Sequence, residues 1–183
     1  MCVATAASMD GYTAFGASIT CQGSKQTFTC PAPRAVVADM NVIRAAPAEM
    51  NPAGYADLLA KVTAGADWIL ADTMGIEPID PQGWALVQNR LREWISRPDD
   101  IRAGKPDALA GLMEGLLFTG LAMQWCKSSR PASGADHQFS HLWDMQDHRH
   151  RGITPSHGYK VGIGTLAATR LYEQILDDDL DQL

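Results

Sequence analysis

The sequence predicts a mainly α-helical protein preceded by a small β portion, and three observations point there. Residues 1–45 are dominated by small and β-branched residues, with a polar CQGSKQ turn between two such runs. After Pro47 the apolar residues recur at helical spacing, interrupted by Pro and Gly. All five histidines fall between Arg130 and Thr165, in RPASGADHQFSHLWDMQDHRHRGITPSHGYKVGIGT. His137 and His141 are four residues apart, so on a helix they share a face with Cβ atoms about 6 Å apart.

In chain order, Ser18–Thr20 and Thr27–Thr29 flank the polar turn as a hairpin, and a third apolar run, Ala35–Val42, follows Pro31 and Pro33. Three short strands with exposed edges make a poor sheet alone and invite partner strands. The helical segments are Ala53–Thr63, Asp67–Met74, Gln82–Arg97, Lys105–Trp125, Ala135–Asp147 and His157–Asp177. Ser133 and Ser156 are suited to cap the last two, because their hydroxyls accept free N–H groups of a first turn. Asp99–Lys105 reads as a loop, and the acidic end DDDLDQL as a solvated or frayed helix terminus.

At 183 residues the chain can bury one sizeable core, and 46% hydrophobic with 20% charged residues is an ordinary globular balance. A net charge of −6 argues against a nucleic-acid binder, although a small phosphorylated substrate needs only a few local cations. Cys2, Cys21, Cys30 and Cys126 form no CxxC pair and read as reduced thiols of a cytoplasmic protein. MCVATAASMDGYTAF lacks the charged and apolar regions of a signal peptide. Ala108–Trp125 is the segment most like a membrane span, but Glu114 and three glycines interrupt it and a buried helix suits it better.

The histidines suggest a metal site, since three protein ligands and an open position are usual where a metal meets substrate. The plainer alternative is surface histidines in a polar loop. Asp57, within YADLLAK, is a fitting third ligand, or else a solvated carboxylate paired with Lys61 one turn on. Asp10 precedes Gly11 in a turn signal. GIGTLA, Gly162–Ala167, satisfies a dinucleotide fingerprint in wording, but it lies inside an apolar pattern running from His157 through Val161, Leu166, Leu171 and Ile175. Close helix packing explains those glycines better. Lys127 and Arg130 in KSSRPASG bring two cations and several hydroxyls near the histidine helix, a composition suited to phosphate.

TAASMDG, AGYADLLAK followed by AGADWILAD, SRPASGADHQFSH and HGYKVGIGT, in that order, resemble the sn-glycerol-1-phosphate dehydrogenases, including their bacterial AraM-like branch. That family lies in the superfamily of dehydroquinate synthases and iron-containing alcohol dehydrogenases. The resemblance implies NAD(P)-dependent reduction of dihydroxyacetone phosphate to sn-glycerol 1-phosphate, an activity of phospholipid metabolism. It implies a divalent metal, zinc or in some relatives nickel or iron, on Asp57, His137 and His157. It assigns Asp10, Asp57 and His141 to substrate, and Thr5, Ala6, Ala7 and Ser8 to the NAD(H) or NADP(H) cofactor. Lys127 and Arg130 suit phosphate contacts by their own chemistry, which the resemblance does not imply.

The resemblance further implies a dehydroquinate synthase-like fold, with residues 1–46 closing an N-terminal dinucleotide-binding domain. Residues 47–183 form a helical metal- and substrate-binding domain, incomplete at its C-terminal end. Ala4 stands where the family commonly has Pro, Ala14 replaces a cofactor-contacting Ser, and His148 and His150 offer alternative metal ligands. The family's Gly-rich phosphate loop has no counterpart, so the chain reads as the central part of a longer enzyme. The alternative is a non-catalytic metal-binding domain. A full-length relative is expected to be a homo-oligomer, without membrane insertion.

Overall fold

A computed structural model describes residues 1–22 and 24–177, so most of the acidic end lies outside the described residues. β1 (Cys2–Ala4) and β4 (Val36–Ala38) pair in parallel, with Cys2 opposite Val36 and Ala4 opposite Ala38. β2 (Ala17–Cys21) and β3 (Ser24–Phe28) form the antiparallel hairpin expected from the polar turn, with Ala17 opposite Phe28. Gln22 in that turn takes φ 51°, as the tight turns that match strand twist require. β1 is the strand that sequence patterning missed, being only three residues long.

Asp39 divides the third apolar run. Its side chain accepts the N–H of Asn41 at 2.8 Å and starts α1 (Met40–Ala45), so Ala35–Val42 is strand, cap and helix in succession. α2 (Met50–Leu59) and α3 (Lys61–Thr73) follow, with Ala60 alone between them. α4 (Pro81–Trp94) begins at Asp80, which accepts the Gly83 N–H at 2.7 Å, with Pro81 at the first helical position. The expected loop at Asp99–Lys105 largely contains α5 (Pro98–Arg102) instead. Pro98 and two first-turn aspartates favour a helix start, and Ile101 is buried in the core.

α6 (Pro106–Cys126) is the core helix. Its Leu109, Leu112, Met113 and Leu116 pack against Leu58 of α2, Leu91 and Trp94 of α4, and Ile43 and Ile101. By length and composition α6 could cross a membrane, but half of its most apolar window is buried within the protein. Glu114 bonds outward to Arg90 at 2.5 Å and to the Trp94 indole N–H at 3.1 Å.

α7 (Ala135–Met145) and α8 (His157–Asp177) pack on each other and carry the histidine region. α8 departs from expectation in the face it buries. Gly158, Val161, Gly164, Thr165 and Ala168 form its inward stripe, while Leu166 and Leu171 are 65% and 57% exposed. Small residues therefore face the neighbouring helices, and the larger aliphatics of the apolar pattern point away.

Candidate metal centre

Asp57 lies on α2, His137 in the first turn of α7, and His157 opens α8. One ligand atom from each lies within 4.8 Å of the other two, and among the described residues this is the one such convergence of three potential ligands. Asp57 and His137 are buried and His157 is half-buried. His137 Nε2 stands 3.6 Å from Asp57 Oδ1, and the rings of His137 and His157 are 5.3 Å apart between centroids. Ligands around one zinc stand about 3.4 Å from each other, so modest side-chain rotations bring this set onto a common ion.

Glycines let the three helices come this close. A Cβ at Gly158 would overlap the carbonyl oxygen of Ala53 on α2, and one at Gly164 would overlap that of Asp136 on α7. A Cβ at Gly162 would lie 2.9 Å from the Ala56 side chain. GIGTLA is thus a packing surface inside α8, not a turn from strand to helix. Gly54 does the same for α2, resting on the backbone of Ala7.

A second layer orients the donors. The Asp136 carboxylate is fully buried, lies 2.5 Å from His137 Nδ1, and accepts the Thr63 hydroxyl at 2.5 Å. A carboxylate only accepts, so Nδ1 carries the hydrogen and Nε2, facing Asp57, is the nitrogen left for a cation. Lys61 is also fully buried, with Nζ 2.9 Å from Asp57 Oδ1 and 2.6 Å from Asp10 Oδ2. The Asp10 N–H donates to Asp57 Oδ2 at 3.1 Å. The expected Asp57–Lys61 pair therefore exists, but inside the protein and not in solvent.

These neighbours set the protonation of the cluster. Burial alone would raise the Asp57 carboxyl, but the Lys61 ammonium, helped by His137 and His157, holds it far below the usual range. Burial would lower Lys61, yet Asp10 and Asp57 keep its pKa above the ordinary value. Burial likewise opposes charge on His137, and the acceptors Asp136 and Asp57 leave its pKa raised. With neutral histidines, Asp10, Asp57 and Asp136 against Lys61 leave two buried negative charges unmatched. That is the deficit a divalent cation fills, and the carboxylate and imidazole donors suit one.

His141 does not join the three ligands. Its ring is 6.3 Å from that of His137, and it lines a polar cleft of about 360 Å³ with Arg130, Glu77, Ser128, Ser129, Ser133 and Gln138. Arg130 Nε donates to Glu77 Oε2 at 2.7 Å. Lys127 is absent from the cleft lining, correcting its pairing with Arg130: it ends α6 in the left-handed region, φ 49°, and is exposed. Ser133 does not cap α7 either. Gly134 takes that position, and Asp67 Oδ2 accepts the Ala135 N–H at 2.6 Å. Ser156 does serve α8, its hydroxyl 3.5 Å from the Tyr159 N–H. His148 and His150 stay apart from the three ligands and line a separate pocket beside Trp143.

In the Thr5–Ser8 segment Ala6 and Ala7 are buried, Ser8 is half-buried and Thr5 exposed, so only the two hydroxyl side chains reach outward. Tyr12 pins the segment by donating to the Ala6 carbonyl at 2.6 Å.

The family model for iron-containing alcohol dehydrogenases matches residues 1–47. Over 96% of its length the chain is 38% identical to a glycerol-1-phosphate dehydrogenase (NAD(P)+) of Bacillus subtilis strain 168, covering 44% of that protein. An Archaeoglobus fulgidus protein of the same name is 32% identical over 94% of this chain, which covers 48% of it. The chain is thus similar over nearly all of its length to glycerol-1-phosphate dehydrogenases. It spans less than half the length of these relatives. A solved archaeal alcohol dehydrogenase from a Red Sea brine pool shows only a loose likeness, 14% identity and TM-score 0.37, covering 98% of this chain and 53% of that one.

Of the residues around the three ligands, sequence reasoning passed over Asp136 and Thr63, and it treated Lys61 only as a surface partner. The Asp136–His137 dipeptide at a helix start was the available signal, because a carboxylate beside a ligating imidazole commonly fixes its tautomer. Replacing Gly164 by Ala should destabilise the protein by about 1–3 kcal/mol through overpacking. Gly111→Ala, with nothing near its Cβ, should leave stability unchanged or raise it by up to about 1 kcal/mol. Urea denaturation of both variants checks the contrast.

Proposed function

We propose that the chain is the metal- and substrate-holding part of an NAD(P)-dependent, metal-dependent sn-glycerol-1-phosphate dehydrogenase that reduces dihydroxyacetone phosphate. The observation carrying this reading is the convergence of Asp57, His137 and His157 in a buried cluster short of two positive charges. The curated relatives, glycerol-1-phosphate dehydrogenases by name, support it. So does the family match ending at residue 47, beside the proposed division between residues 1–46 and 47–183.

Asp57, His137 and His157 would hold the cation, zinc, nickel or iron. When bound, it supplies Lewis-acid polarisation of a substrate oxygen. Asp136 keeps Nε2 of His137 turned toward Asp57. Asp10 adjoins Asp57 and the His141 ring lies 6.3 Å from that of His137, so both would border a substrate held at the cation. Arg130 and the serines of the cleft would take the phosphate. The Glu77 pairing at Nε engages one of five guanidinium donors, leaving others for that anion. Thr5 and Ser8 would meet the nicotinamide side of the cofactor. Among the described residues no strand, glycine-rich loop and helix form a pyrophosphate cradle, so no step through the cofactor is assigned to this chain.

That last observation favours a second reading, a metal-binding domain without redox activity of its own. Oxidation of NADH or NADPH with dihydroxyacetone phosphate by this chain alone supports the first reading, and stoichiometric metal uptake without turnover the second. Because the His137 pKa is raised, metal entry must displace its proton. Apparent affinity should therefore fall as pH drops through and below that pKa, by about tenfold per unit for each proton displaced. Competitive metal titration from pH 8 to pH 5 measures this, and a flat profile would contradict ligation by His137. Arg130→Ala should weaken glycerol 1-phosphate binding roughly 10- to 100-fold, the worth of a charged hydrogen bond, while glycerol binding changes little. Equal losses on both, by calorimetry, would reject the phosphate assignment.

A further inference from the structure

Lys61 has no solvent exposure, and its ammonium is shared between Asp10 Oδ2 at 2.6 Å and Asp57 Oδ1 at 2.9 Å. Its backbone is fixed as well, the carbonyl accepting Gln88 Nε2 at 2.9 Å from α4. Asp10 and Asp57 also meet directly through the Asp10 N–H. Without a cation on one of their neighbours, two buried carboxylates this close would repel and part. We infer that Lys61 is a positioning residue, an internal counter-ion that keeps Asp10 and Asp57 assembled while the metal is absent. Its metal arm rests on the function proposed above.

The argument is one of charge. With Lys61 in place the buried group lacks two positive charges, and a divalent ion brings it to neutrality. Without Lys61 it lacks three. Repulsion then falls hardest on the metal-free protein, since an ion relieves a cluster of −3 more than one of −2. Lys61 also occupies one side of Asp57 Oδ1, leaving the side toward His137 for the ion.

Lys61→Met keeps the bulk of the side chain and removes its charge. In the full chain, stripped of metal, this variant should melt roughly 10 °C below the unmodified protein. Saturating Co²⁺ should recover at least half of that gap beyond the shift it gives the unmodified chain. The double variant Asp10→Asn with Lys61→Met should recover at least half without any metal, because one of the apposed charges is gone. If Lys61→Met does not fold without metal, folding of the double variant carries the test. A lysine that merely fills space predicts otherwise: no rescue by Asp10→Asn, and the same Co²⁺ shift in both proteins. Either result, or a metal-free Lys61→Met melting within about 2 °C of the unmodified chain, would overturn the inference. If the unmodified chain shows neither a Co²⁺ visible spectrum nor a Co²⁺ melting shift, the metal reading fails instead. The metal-free comparison with the double variant then still decides the role of Lys61.

Discussion

The arrangement depends on backbone contact among three helices. α8 has no Cβ at the points where it crosses α2 and α7, so its axis lies nearer both than ordinary side chains permit. That approach places the first residue of α8, a residue from the last turn of α2 and one from the start of α7 around a single point. Elsewhere the core is held by the large aliphatic and aromatic side chains of α4 and α6. The two regions meet at α2, where Leu58 faces the apolar core and the adjacent Asp57 faces the polar cluster. One helix thus carries the rigidity of the core into the position of a ligand.

A polar cluster of this kind is costly to bury. Each charge taken from water loses several kcal/mol of solvation unless partners replace it. Here every member of the charged group has a polar partner: Asp136 has Thr63 and His137, Lys61 has two carboxylates, Asp10 has Lys61, and Asp57 has Lys61 and the Asp10 N–H. Hydrogen bonding is thereby largely satisfied while net charge is not. This division explains how the group stays in place without a cation and still has a strong electrostatic reason to take one.

Local pattern revealed those features whose causes are local. The hairpin, the long core helix and the α7 and α8 segments follow from turn chemistry and apolar spacing, and their observed spans agree closely with expectation. α5 was hidden because five residues are too few to show a period, and its stability comes from Ile101 in a distant core. The break expected at residues 64–66 lies instead at Ala60, which keeps helical angles and so leaves no mark in the pattern, and residues 64–66 are helical. For α8, periodicity identified the helix but not its buried face: composition suggested that aliphatics face inward, whereas close packing reserves that face for Gly, Thr and Ala.

The site shows the same limit more sharply. Four-residue spacing made His137 and His141 neighbours on α7, and so they are, but a shared helix face does not decide which of them meets α2 and which meets the cleft. That choice is made by α8, which presses on α7 at Gly164 and presents His157 beside His137. Asp57 posed a similar ambiguity between ligand and ion-pair partner. Its two oxygens resolve it by doing different work: Oδ1 lies between Lys61 and His137, and Oδ2 takes the Asp10 N–H. Asp10 contacts Asp57, Asp57 lies beside His137, and His137 lies beside His141, which shares its cleft with Arg130, so the series runs across α2, α7 and the loops before them. Under the proposed function, that order sets the cation beside the cleft and not inside it, matching a small phosphorylated ketone whose reacting carbon lies away from its phosphate.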